Sequence, residues 1–202
     1  MDQEECCHCD LNSFAYDYKL LETENFSIVC DVHPLTEGHL LIIPKAHHSC
    51  VGAFPDRIWS EFEELYRLCS KFVGKFYGSC CVFEHGIIGQ TVFHSHLHLL
   101  PAKLNLLQII PEGDKFLKPI SGISSLRSVY ADQGKYLFLS VRNSLKIVDT
   151  KLGAPRFFRD RISAALGKPE RGNWKAMRSN LDLMKMAVDD NTNCSENWRN
   201  YV

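Results

Sequence analysis

The chain has 202 residues, enough for one hydrophobic core or for a core with a small appended unit. A hydrophobic share of 45%, a charged share of 23% and a net charge of -1 are those of an ordinary soluble globular protein and argue against a globally basic nucleic-acid binder. No apolar run is long enough to span a membrane, the acidic start MDQEECC does not read as a secretory signal, and nine cysteines fit reduced thiols in a cytoplasmic protein better than disulfides.

The first segment, Cys6-Cys7-His8-Cys9, crowds metal-ligand types together. Cys6 and Cys9 have the C-x2-C spacing that places two thiolates on one tetrahedral ion; a tail with free thiols is the other reading. Residues 26–31 alternate well enough for a strand, and Pro34 and Gly38 mark the following residues 32–38 as a loop. Leu40 to Ile43 form an apolar run of strand length, which predicts a strand buried on both faces. Residues 55–77 predict a helix: Pro55 and Asp56 suit its start, and Ile58, Phe62, Leu65, Phe72, Val73 and Phe76 recur at helical spacing. Gly78 is suited to end it, and Cys80 to Glu84 read as the next strand.

Residues 94–100 read His-Ser-His-Leu-His-Leu-Leu. A period of two is the strand period, so His94, His96 and His98 are expected on one face of one strand, about 7 Å apart, with Leu97 and Leu99 on the other. Three imidazoles cost too much to bury together as mere core residues. A surface histidine patch is the bland alternative.

Beyond Pro101 the pattern changes. Residues 104–125 hold turn formers and little periodicity. Lys135–Val141 and Leu145–Val148 predict a hairpin through Arg142-Asn143-Ser144. Phe158, Ile162, Ala165 and Leu166 form a helical stripe stopped by Gly167 and Pro169. Residues 156–178 carry seven basic and two acidic side chains, net +5; a solvated helix face is expected, with steering of a polyphosphate or an RNA end as the alternative. Leu181, Leu183, Met184 and Met186 predict a last helix, followed by a frayed polar tail.

The run Gly89-Gln90-Thr91-Val92-Phe93-His94-Ser95-His96-Leu97-His98-Leu99-Leu100-Pro101 closely resembles the signature of the histidine triad superfamily of nucleotide hydrolases and transferases. Ser95 is the one departure, standing where a hydrophobic residue is usual. Gly38 to His47 resembles the upstream strand and turn of the same family, and the resemblance covers about residues 5–103. It implies an α+β fold: an antiparallel sheet of about five strands carrying one long helix in residues 1–103, followed by a small α+β extension in residues 104–202. It implies His96 as the nucleophile, His98 at a phosphoryl or leaving-group oxygen, and His94 as an ordering residue. Asp31, His39, Gln90, Thr91 and Ser95 are implied in substrate binding. Some members carry C-x2-C at this distance from the N-terminus, which implies a structural zinc on Cys6, Cys9, His47 and His94, with Cys7 and His48 as competitors. Glu84-His85 stands where better-known members have an asparagine that contacts nucleotide.

The expected activity is hydrolysis of a dinucleoside polyphosphate or nucleoside phosphoramidate through a nucleotidyl-histidine intermediate. His98 favours hydrolysis over transfer, because the uridylyltransferase branch has glutamine there. A nucleotidyltransferase or phosphorylase, and a non-catalytic nucleotide- or RNA-end-binding adaptor, are the alternatives. The last is suggested because residues 155–175 loosely resemble the C-terminal region of CwfJ-like proteins. A homodimer is expected, as in many members, and RNA or adenylated nucleic acid is a less favoured partner than a small nucleotide.

Overall fold

The computed structural model describes residues 6–202. One antiparallel sheet runs through it. Its strands are β1 (Lys19–Glu22), β2 (Phe26–Cys30), β3 (Leu40–Pro44), β4 (Cys81–Glu84), β5 (Leu97–Leu100), β6 (Leu117–Pro119), β7 (Leu137–Val141) and β8 (Ser144–Val148). Their spatial order is β1-β2-β3-β5-β4-β7-β8-β6. The expected five-stranded sheet is the run β1-β2-β3-β5-β4, and the C-terminal half lengthens it to eight strands. Its β7 pairs with β4 from Cys81↔Val141 to Glu84↔Phe138, so the ladder passes from one half of the sequence to the other without a break.

Alternation along the strands sends side chains to two layers. Ile28, Leu40, Ile42, Val82, Leu97, Leu99 and Phe138 meet helix α1 (Asp56–Tyr77), whose buried stripe includes Ile58, Phe62, Phe72 and Val73. Phe83, Leu100, Leu137, Leu139 and Val141 face the opposite way, against α2 (Leu106–Ile109) and α4 (Phe157–Ala165). Helices α3 (Ser125–Gln133) and α5 (Trp174–Arg178) are short, and α6 (Leu181–Arg199) closes the chain. No helix among the described residues is long and apolar enough to cross a membrane.

Four expectations change. First, the strand bearing the triplet starts only at Leu97. Extending the β3–β5 register from Ile42↔Leu97 would set Ser95 opposite Pro44, which has no N–H to offer. The Ser95 N–H instead donates to the His48 carbonyl at 2.6 Å, and His94 lies in a bend. Second, the C-terminal tail is not frayed. α6 continues to Arg199 and buries Ala187, Asn191, Cys194 and Trp198, while Leu181 at the head of the predicted stripe is 87% exposed. Third, the basic stretch is not simply a solvated face: Arg159 and Arg171 are buried. Fourth, the hairpin turn is Arg142-Asn143 alone, both with positive φ, and β8 starts at Ser144.

Candidate active site

The face of the sheet opposite α1 carries a cleft lined among others by Phe14, Asp31, His33, Thr91, His96, His98, Arg159 and Trp174. His98 is on β5, paired with Leu41 on one side and Phe83 on the other, and the Phe83 ring stacks on it at 4.2 Å. His96 precedes the strand, and its ring lies 4.9 Å from that of His98.

Hydrogen bonds fix the state of each ring. His96 donates from Nδ1 to the His94 carbonyl at 2.6 Å, which leaves its Nε2 as a lone pair. The Leu35 N–H donates to His39 Nδ1 at 3.2 Å, so His39 carries its hydrogen on Nε2 and donates it to His98 Nδ1 at 3.0 Å. His98 in turn must carry its hydrogen on Nε2, a buried atom with no partner among the described residues. Burial lowers the pKa of all these rings: His39 to about 4 and His96 and His98 below the ordinary histidine value, with repulsion from neighbouring imidazoles and Arg159 adding to it. The triplet is therefore neutral at pH 7.

Asp31 follows β2 directly and lines the cleft. Burial alone would raise its pKa; the Arg159 guanidinium at 2.6 Å, His39 and the His33 N–H outweigh that and hold it at about 2. Its carboxylate is thus already engaged by Arg159 and by the His33 N–H. Gln90 and Ser95, expected in substrate binding, both make interior hydrogen bonds. Gln90 donates to the Ser49 carbonyl at 2.9 Å, and the fully buried Ser95 donates to Glu84 at 3.1 Å. Thr91 lines the cleft and accepts from the Trp174 indole at 3.0 Å. Glu84 sits behind the site, accepting from the Val51 N–H at 2.8 Å and from the Tyr136 hydroxyl. His85 accepts from the Phe158 N–H at 3.3 Å.

Beside the cleft, Cys6, Cys9, His47 and His94 gather one donor atom each, all within 4.8 Å of one another. Cys9 Sγ is 3.2 Å from His47 Nδ1 and 3.4 Å from His94 Nδ1, and Cys6 Sγ is 3.5 Å from His94 Nδ1. A tetrahedron of two sulfurs and two nitrogens around zinc has S···N edges of about 3.5 Å, so the spacing fits such an ion. His94 donates from Nε2 to the Pro44 carbonyl at 2.7 Å, which turns its Nδ1 lone pair toward the sulfurs. Cys7 and His48 are not in this group.

Sequence reasoning missed Arg159, Trp174, His33, Phe14 and His8 at the cleft. The charge run gave a weak signal for Arg159. Nothing local marks the others, because their meeting depends on how the two halves pack.

Residues 13–105 match the HIT domain family. The adenylylsulfatase HINT3 of Arabidopsis thaliana is 30% identical over 106 residues, covering 50% of this chain and 54% of that protein. An uncharacterized HIT-like protein of Chlamydia muridarum is 36% identical over 86 residues, covering 41% of this chain and 68% of that one. The adenosine 5'-monophosphoramidase HNT1 of Saccharomyces cerevisiae is 29% identical over 99 residues, covering 48% of this chain and 63% of that protein. The chain thus spans only about half of the adenylylsulfatase's length, 54%.

Proposed function

The chain belongs to the HIT domain family, and from that premise we propose that it is a nucleotide hydrolase using His96 as a covalent nucleophile. The observation that carries this reading is the His96 Nδ1–H bond to the His94 carbonyl, on a ring that lines the cleft. It leaves a neutral Nε2 lone pair able to attack phosphorus without a prior proton transfer. The new N–P bond forms as the bond from phosphorus to the leaving group breaks. The leaving group departs with the electron pair, an amine taking its proton from solvent and a phosphate or sulfate leaving as the anion. The unpartnered Nε2–H of His98 serves as the donor to a phosphoryl or leaving-group oxygen. Water then attacks phosphorus, the N–P bond breaks, and His96 is regenerated neutral. The substrate class is an adenylate or related nucleotide joined to a second group: a phosphoramidate, a dinucleoside polyphosphate or, as the name of the Arabidopsis relative suggests, an adenylyl sulfate.

Cys6, Cys9, His47 and His94 are proposed to hold a structural zinc. A closed four-ligand site of this kind supplies folding energy, not chemistry. Its effect on the reaction runs through His94, whose carbonyl orients His96.

Incubation with adenosine 5'-phosphoramidate, diadenosine polyphosphates and adenylyl sulfate, with and without phosphate, tests the reading. We expect AMP as a product, and an acid-labile, base-stable label on the protein during turnover. His96→Ala is expected to lower kcat by about 10³-fold or more, and His96→Gly to recover part of it with free imidazole. Full activity in His96→Ala would reject the nucleophile.

A further inference from the structure

The proposed reaction uses the histidines but leaves unexplained two side chains that reach the same cleft from the C-terminal half, Arg159 on α4 and Trp174 on α5. We propose that Trp174 is the nucleobase-facing wall of the cleft, the side chain that separates a nucleotide from its base-free counterpart, and that the C-terminal half is therefore part of the substrate site. This inference rests on the nucleotide reading above and goes beyond it, since residues 13–105, which match the family, contain neither side chain.

Phe14, His33 and Trp174 form an aromatic arc along the cleft. The His33 ring is 6.2 Å from Phe14 and 5.6 Å from Trp174. Burial lowers the His33 pKa, so its ring is a neutral aromatic and not a second cation. Trp174 is half-buried, and its one polar atom is satisfied outside the arc, by Thr91 Oγ at 3.0 Å. That bond fixes the ring plane. It also ties α5 to the loop that leads into His94. The indole thus lines the cleft with no unmet donor, and the Lys175 ammonium stands over one face of the ring, 5.6 Å from its centroid. A planar, uncharged heterocycle is the ligand chemistry that matches such a ring, because stacking tolerates any base and needs no hydrogen bond.

Arg159 prepares this wall without contacting the base. Its Nε donates to the Gly172 carbonyl at 3.3 Å, Nη1 to Asp31 at 2.6 Å, and Nη2 to the His33 carbonyl at 2.6 Å and the Arg171 carbonyl at 3.4 Å. One guanidinium thus joins the segment after β2, which holds His33, to the segment before α5, which holds Trp174. Arg159 is a positioning residue, and Trp174 is the one that discriminates.

The test compares AMP with ribose 5-phosphate, which keeps the sugar and phosphate but lacks the base. Binding of each is measured by calorimetry to the full chain and to Trp174→Ala, Trp174→Leu and Trp174→Phe, with thermal melts to confirm folding. In the wild type AMP is expected to bind at least 10-fold more tightly than ribose 5-phosphate. Trp174→Ala and Trp174→Leu are expected to shrink that preference about 10-fold through loss of AMP affinity, with ribose 5-phosphate little affected. Trp174→Phe, which keeps a π face, is expected to retain most of it. An undiminished preference in folded Trp174→Ala or Trp174→Leu overturns the wall while the nucleotide reading stands. Failure of the wild type to bind AMP overturns both.

Discussion

Glu84 shows how one residue read by its neighbours in sequence acquires a different meaning in space. It stands where better-known family members have an asparagine that contacts nucleotide. It lies instead behind the site, fully buried, holding Val51, Ser95 and Tyr136 together. Burial pushes its pKa from 4.5 up to about 7, against those three hydrogen bonds. The folded chain therefore keeps this proton where the unfolded chain has already lost it. The contribution of Glu84 to stability falls by about 3 kcal/mol as pH rises from about 4.5 to about 7, while buried imidazoles with lowered pKa, His39 and His94 among them, work in the opposite sense over the same range. Urea midpoints measured across that range should rise more with pH in Glu84→Gln than in the wild type, because the substitution removes a contribution that falls. Asp31 has the opposite sign. Its depressed pKa of about 2 means that its contribution is present above about 4 and is lost on acidification toward 2. Arg159→Met would leave that carboxylate buried and unpaired, at an expected cost of about 3–5 kcal/mol in denaturant unfolding.

At the scale of elements, helix ends were legible because they are written in local chemistry. Pro55 is the N-cap of α1, and Gly78 is its C-cap, at φ +80 with its N–H on the Gly74 carbonyl at 3.0 Å. No neighbouring atom would clash with a Cβ there, so Gly78→Ala should cost only the backbone term, about 1 kcal/mol, read from a thermal melt. The metal-ligand set was legible through resemblance, and Cys6, Cys9, His47 and His94 do converge. Cys9→Ser should lower zinc per chain and Tm together; zinc-free protein of undiminished Tm would remove the metal from the account. What the sequence hid was set by distant partners. The buried face of α6 is spaced over Ala187, Asn191, Cys194 and Trp198, polar and apolar mixed, so periodicity marked the wrong stripe. Arg159 looked like one more charge in a basic run because Asp31, its partner, lies 128 positions away. The triplet strand failed at its N-terminal end because Pro44, not the histidines, decides where pairing stops.

For the molecule as a whole, the sheet crosses the division expected between residues 1–103 and 104–202. Both edges of β4 are occupied, one by β5 and the other by β7. Cutting the chain after residue 105 would leave the β4 edge bare, remove α4 and uncover Phe83, which packs on Phe158 at 5.4 Å. Such a fragment is expected to aggregate on size exclusion, whereas the full chain stays in solution. Two copies joining by sheet continuation would have to use β1 or β6. β6 has three residues and ends in Pro119, and β1 shifts register between Lys19 and Leu21, so neither offers a long regular edge.

Thr91 and Trp174, hydrogen-bonded to each other beside the cleft, belong to one covalent chain, so their encounter never waits on diffusion. Turnover per mole of protein should then hold steady through several decades of dilution. A rate that sags as the solution thins would mean that a second copy lends something to the reaction.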